Sequence, residues 1–258
     1  MILTADYHTH TPYSHGKNSV GENAAMAKEI GLKQIGISDH GFSHVAFGLR
    51  RKQMKNYIAD CKAAAVQFGI DVLVGIESNI LGETGNADLT EADYELFDIY
   101  LCGKHVFVRY DGLKNWLHYG GGNFINDKFR AKAPEKLIKR NTTAYINVIK
   151  NNPIDAITHL GYLCPADTLE VAKCAADLGT YIELNSKKTH LSDEELSNIA
   201  QKTQARFIIN SDAHSADRVG DIKIVEEQLK RINFPYDRID NIDGRLPTFR
   251  FQAFKNRL

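Results

Sequence analysis

One rhythm constrains this chain more than any other feature: seven short apolar stretches, most of them β-branched, alternate with longer segments of helical pattern. The apolar stretches lie at 2–7, 34–38, 72–76, 98–102, 155–158, 180–184 and 206–210. The helical segments lie near 20–30, 52–68, 134–151, 167–178, 193–204 and 221–233. Short β-branched apolar runs suit strands buried on both faces. Strand–helix alternation predicts a parallel sheet, either closed as a barrel or open and doubly wound. Gly31, Gly69 and Gly179 follow three of the helices, where a left-handed cap favours glycine. Ser192 with Glu195 predicts a capping box.

Two stretches depart from the rhythm. Residues 82–95 read as a short polar connection with one helical turn. Residues 106–133 carry Gly120, Gly121 and Gly122 among Tyr110, Trp116, Tyr119 and Phe124, and read as a long loop over one rim. A loop of that length in a compact domain is more often functional than idle. With no linker, repeat or low-complexity tract, the chain reads as a single domain, 1–258.

Lysine plus arginine and aspartate plus glutamate both total 32, so the chain has no long-range pull toward nucleic acid or anionic membranes. No stretch approaches the 18 uninterrupted apolar residues of a membrane span, and MILTADYHTH does not read as a signal peptide. The four cysteines lack CxxC spacing and read as reduced, mostly buried thiols. A cytoplasmic location is the expectation.

The histidines are not scattered. His8, His10, His15, His40, His105, His159 and His214, seven of ten, fall just beyond the C-terminal ends of expected strands, together with Asp39, Glu77 and Asp212. That edge of a parallel α/β fold is where ligands bind. Residues i and i+2 of an extended chain point the same way, so His8 and His10 can reach one ion, and Asp212 with His214 repeats the spacing. Imidazole mixed with carboxylate suits Zn²⁺, Mn²⁺ or Fe²⁺. A carboxylate such as Glu77 can bridge two ions, the usual apparatus of phosphoester hydrolysis. His44, His118 and His190 read instead as surface or hydrogen-bonding residues. Asp39 reads either as an orienting or relay group or as a salt bridge or cap.

HTHT at 8–11, SDHG at 38–41, GIE at 75–77, GKH at 103–105, THLG at 158–161 and SDAH at 211–214 together resemble the PHP (polymerase and histidinol phosphatase) family. The resemblance implies an α/β fold, a distorted (β/α)7 barrel, and a trinuclear site of two to three divalent transition-metal ions. By that likeness His8, His10, Glu77 and Asp212 hold one ion. Glu77 bridges to a second, held with His105 and His159, while His15, His40 and His214 hold the third. Glu77, Asp212 and His214 carry the catalytic expectation.

Candidates to contact phosphate are Lys104, Arg50, Arg51, Arg109, Lys187 and Lys188; Glu183 and Asn185 read either as supports for the ligands or as core. Three functions fit: a phosphatase of small phosphate esters such as histidinol phosphate, a nuclease or phosphodiesterase, and a non-catalytic module with a structural metal. Zero net charge disfavours extended DNA contact. More candidate ligands than closed four-coordinate sites need favours catalysis.

Overall fold

The structure, a computed structural model, describes residues 1–129 and 132–257. Seven strands form one sheet in sequential order, and every neighbouring pair is parallel. They are β1 (Ala5–Thr9), β2 (Gln34–Ile37), β3 (Asp71–Asn79), β4 (Ile99–Gly103), β5 (Ala156–Ile157), β6 (Tyr181–Asn185) and β7 (Phe207–Asn210). Helices α1 (Val20–Glu29) and α2 (Met54–Phe68) follow β1 and β2. After β4 come α3 (Gly112–Asn115), α4 (Gly122–Phe129) and α5 (Glu135–Asn151). Then α6 (Thr168–Leu178), α7 (Asp193–Lys202), α8 (Lys223–Arg231) and α9 (Arg250–Lys255) complete the chain. Gly31, Gly69 and Gly179 have φ of 83°, 58° and 70°, and Ser192 and Glu195 form the capping box over α7. None of the described helices is long and apolar enough to cross a membrane.

The sheet is a nearly closed, distorted (β/α)7 barrel. Where β1 meets β7, His10 N donates to Ala213 O at 2.8 Å and Ala213 N to His8 O at 3.2 Å. Lower in the seam, Asn241 stands in for a missing strand. Its Oδ1 accepts from Ile209 N at 2.9 Å, while Nδ2 lies 2.8 Å from Ala5 O and 2.6 Å from Ile209 O. The expected first strand at 2–7 therefore starts late, because Leu3 bridges Ile242 in antiparallel fashion instead of joining the sheet. Asn241→Leu fits the space but leaves these buried backbone groups without partners, each costing about 1–3 kcal/mol. Urea unfolding should show a loss of about 3 kcal/mol; a loss below about 1 kcal/mol would mean the seam is held by other contacts.

The barrel interior is layered. Ala5, Tyr7, Ile99, Leu101, Ala156, Tyr181 and Ile208 fill its lower part with apolar side chains. A register shift in β1 between Asp6 and Thr9 breaks the strict alternation of faces. This lets Tyr7 join that apolar layer while its neighbour His8 reaches Glu183, on the same strand face as Tyr181. The upper layer is polar, and it opens at the C-terminal ends of the strands.

The stretch after β4 is largely helical, which corrects the expected long loop. A π-helical turn over Trp116–Gly121 joins α3 to α4. Arg130 and Ala131, part of that expected loop, lie outside the described residues. Tertiary contacts override the glycine run: a side chain at Gly120 would collide with the Tyr110 ring. Asn123 and Asn141 exchange amide hydrogen bonds at 2.9 and 2.8 Å beneath the insertion.

Candidate metal centre

Glu77 stands in β3 on the lumen side, almost fully buried, with imidazoles on several sides. Its Oε1 lies 2.6 Å from His159 Nε2, 3.0 Å from His105 Nε2 and 3.2 Å from His8 Nε2. Its Oε2 lies 2.8 Å from His40 Nδ1 and 3.7 Å from His10 Nε2. Asp212 adds a second carboxylate, with Oδ1 3.4 Å from His10 Nε2 and 3.3 Å from His214 Nδ1. His15 completes the mouth, its ring stacked on His40 at 4.8 Å and 4.3 Å from the His214 ring. All nine expected residues thus converge on one end of the barrel.

Two of the imidazoles are aimed by buried partners behind them. His8 Nδ1 sits 2.7 Å from Glu183 Oε1, leaving Nε2 toward Glu77. Glu183 is itself held by Asn210, Asn185 and the backbone N–H of His159. His105 Nδ1 faces Asn79 Oδ1 at 2.9 Å, and Asn79 donates its amide to buried Asp88. Carboxylate or carbonyl partners behind a histidine fix its tautomer and ring plane, as metal sites require. Asp39 accepts from Thr11 N at 2.8 Å and from the Thr11 and Ser14 hydroxyls, pinning the loop that carries His10. A side chain at Gly103 would strike Thr158 and the His159 ring, so the GKH glycine makes room for a neighbouring histidine. His159 and Asp212 have φ of 33° and 50°, a left-handed conformation that non-glycine residues keep chiefly at functional sites.

The electrostatics describe mostly neutral imidazoles gathered around two carboxylates. Burial and neighbouring histidines push His105 and His15 down to about 3 and hold His10 well below the ordinary range. These rings are neutral, with lone pairs to share. Burial opposes an imidazolium at His8, but Glu77, Glu183 and Asp212 outweigh it and hold His8 well above 6.5. Burial also opposes ionisation of Glu77, yet His105 and His8 keep its carboxyl well below the carboxylate range. His40 Nδ1, Glu77 Oε2 and His105 Nε2 are buried close to one another or to Glu77 Oε1 but not aligned for hydrogen bonds, and His159 Nδ1 is buried without one. Buried polar atoms are rarely left so unless an ion or water takes them. Three donor triads lie within 4.8 Å: His8–His10–Glu77, His40–Glu77–His105 and His10–His40–His214. The residues fit transition-metal ions by number, neutrality and unpaired lone pairs.

Several residues depart from expectation. His44 and His190 line the cavity of about 460 Å³ above the cluster, together with Tyr162. His44 accepts from Phe47 N at 3.0 Å, the hydrogen-bonding role expected of it, and stacks on His40 at 5.0 Å; His190 approaches His159 at 5.8 Å, and His118 is exposed as expected. Both His44 and His190 also follow strand ends, only farther along their loops. Lys104 points away from the cluster: its buried Nζ donates to His105 O at 2.8 Å. Arg51 pairs with Asp93, and Arg109 Nη2 donates to Phe42 O at 3.3 Å. Of the expected phosphate contacts, Lys187 and Lys188 line the cavity.

The PHP domain, as a sequence family, matches residues 6–187, more than half of the chain. The chain belongs to the PHP domain family. The match takes in seven of the nine converging residues, all but Asp212 and His214. A probable phosphatase of Caldanaerobacter subterraneus subsp. tengcongensis is 29% identical over 181 residues, covering 67% of this chain and 62% of that protein. A probable phosphatase of Thermoanaerobacter sp. (strain X514) is 30% identical over 183 residues, covering 68% and 65%. The match thus spans just under two thirds of these relatives' length. Among solved structures, histidinol phosphate phosphatase from Lactococcus lactis, complexed with zinc, L-histidinol and phosphate, superposes with a TM-score of 0.58. It is 16% identical and covers 91% of this chain and 95% of that one, a likeness of fold. The barrel fold is therefore common to both.

Proposed function

We propose that this chain is a metal-dependent phosphatase of small phosphomonoesters, and that residues 1–258 act as one PHP barrel domain. The observation that carries this reading is Glu77, a single buried carboxylate ringed by imidazoles at the floor of an open cavity. In this reading His8, His10, Glu77 and Asp212 hold one ion, Glu77, His105 and His159 a second, and His15, His40 and His214 a third. Divalent ions held there would lower the pKa of coordinated water to about 7 and polarise phosphoryl oxygens.

The protein supplies the rest. Glu77 and Asp212 set the negative charge of the floor, and Glu183, Asn79 and Asp39 hold the imidazoles in place. Lys187 Nζ lies 3.1 Å from His214 Nδ1 and 3.4 Å from Asp212 Oδ1 at the mouth, where it can neutralise a phosphate dianion. The names of the matched relatives, probable phosphatases, support the same class.

A nuclease must also grip flanking backbone with a basic groove and stacking aromatics. The chain's balanced charge does not provide a broad basic field. In a panel assayed with Zn²⁺, Mn²⁺ or Fe²⁺, phosphomonoesters should exceed single-stranded and nicked DNA in kcat/KM. A DNA substrate ahead by more than about tenfold, with activity falling steeply as salt rises, would make the nuclease reading the better one.

A further inference from the structure

Beside the metal cavity lies a second hollow of about 610 Å³, roofed by the helical insertion after β4. Trp116, Leu117, Phe124, Ile125 and Leu163 give it apolar walls, with Asp127 and Lys128 as its charged lining. Trp116 and Phe124 are 57% and 52% exposed, a concentration of apolar surface that a chain does not leave to water without use. Val106 and Phe107 line both hollows, so the two share a wall.

That wall is deliberately held. Phe107 has a φ of 59°, a conformation disfavoured for a bulky residue. Its carbonyl accepts from Val45 N at 2.8 Å, and the His44–Val108 bridge and Arg109 N→Ser43 O bond extend the clamp along the residues that follow it. The clamp ties the shared wall to the loop bearing His40 and His44. Tyr110 OH donates to His105 O at 3.1 Å, tying the insertion to the metal floor as well.

Resting on the phosphatase reading, we infer that the second hollow receives the organic part of the substrate. The substrate is then a phosphomonoester of an alkyl or aryl alcohol, with its phosphate over Glu77 and its apolar group along Phe107, Trp116 and Phe124. Hydrolysis breaks the ester P–O bond: water gives its oxygen to the phosphate and a proton to the departing alcohol, which leaves from the apolar hollow. A concave wall continuous with the metal cavity suits such a group better than the flat face of a second copy.

Methyl, butyl and octyl phosphate, assayed with the zinc-loaded protein, test this. Each buried methylene is worth roughly three- to fourfold, so kcat/KM should rise at least tenfold from methyl to octyl, mainly through KM. Phe124→Asp should cut the octyl-to-methyl ratio to below about threefold. Trp116, the only tryptophan of the chain, provides a readout that needs no turnover. Octylphosphonate should shift its emission to the blue and methylphosphonate should not.

If esters are cleaved with no chain-length dependence and the emission stays fixed, the inference fails while the phosphatase reading stands. If no ester is cleaved yet octylphosphonate shifts the emission, the hollow binds apolar phosphonates and the phosphatase reading fails. A dimer in sedimentation that Phe124→Asp disperses, with a flat chain-length profile, would overturn the inference in favour of a second copy.

Discussion

Glu77→Gln should lower kcat for phosphomonoester hydrolysis by roughly a hundredfold or more, the scale of losing preorganised charge at a reacting centre, while the fold persists. Glutamine keeps the volume and the lumen-facing position in β3, so packing against Thr158 and the surrounding rings is preserved. What changes is charge. A neutral amide cannot bridge two cations, and it would put an uncharged group where a carboxylate oxygen stands 2.6–3.2 Å from His159, His105 and His8. Circular dichroism checks the fold and steady-state kinetics the rate. Retention of more than about a tenth of wild-type kcat, a loss below ~1.4 kcal/mol, would remove Glu77 from the bridging position.

Stripping the protein with a chelator should abolish hydrolysis and lower its thermal stability, and Zn²⁺ should restore both. The stripped cluster crowds imidazoles around two carboxylates, with buried donor atoms not aligned for hydrogen bonds. An ion that binds the native state alone contributes about 4 kcal/mol at a thousandfold excess over Kd. For a chain of this size that corresponds to roughly 10 °C in Tm. Differential scanning fluorimetry of stripped and reloaded protein measures it. An unchanged Tm and unrestored activity would argue that the cluster is a polar core and not a metal centre.

Much of this centre was legible because its residues sit directly on the strand ends. His8, His10, Glu77, His105, His159 and Asp212 are adjacent in sequence to the short apolar runs, so strand position alone carries them to one rim. His44 and His190 reach the same cavity from farther along their loops, and a loop's path is set by tertiary contacts such as the His44–Val108 bridge.

Lys104 could have been excluded from the phosphate contacts on parity. Adjacent residues of an extended segment face opposite sides, so with His105 toward the lumen its neighbour faces outward, under Tyr110 and Tyr119. The bulge in β1 shows the opposite case, since strict alternation would have sent either Tyr7 or His8 out of the barrel. In the insertion after β4 three glycines signal a loop locally, whereas the Asn123–Asn141 amide pair and the close Tyr110 ring stabilise helix there. Closure of the barrel followed from the family resemblance, while the strand pattern alone left it open. In the lower seam it is completed by Asn241, whose role exists only once β1 and β7 lie side by side.

Elemental analysis tests most directly whether these side chains form a multinuclear metal centre. Protein purified with transition metals available and then freed of loosely bound ions should retain at least two ions of zinc, manganese or iron per chain. Fewer than one per chain would contradict it.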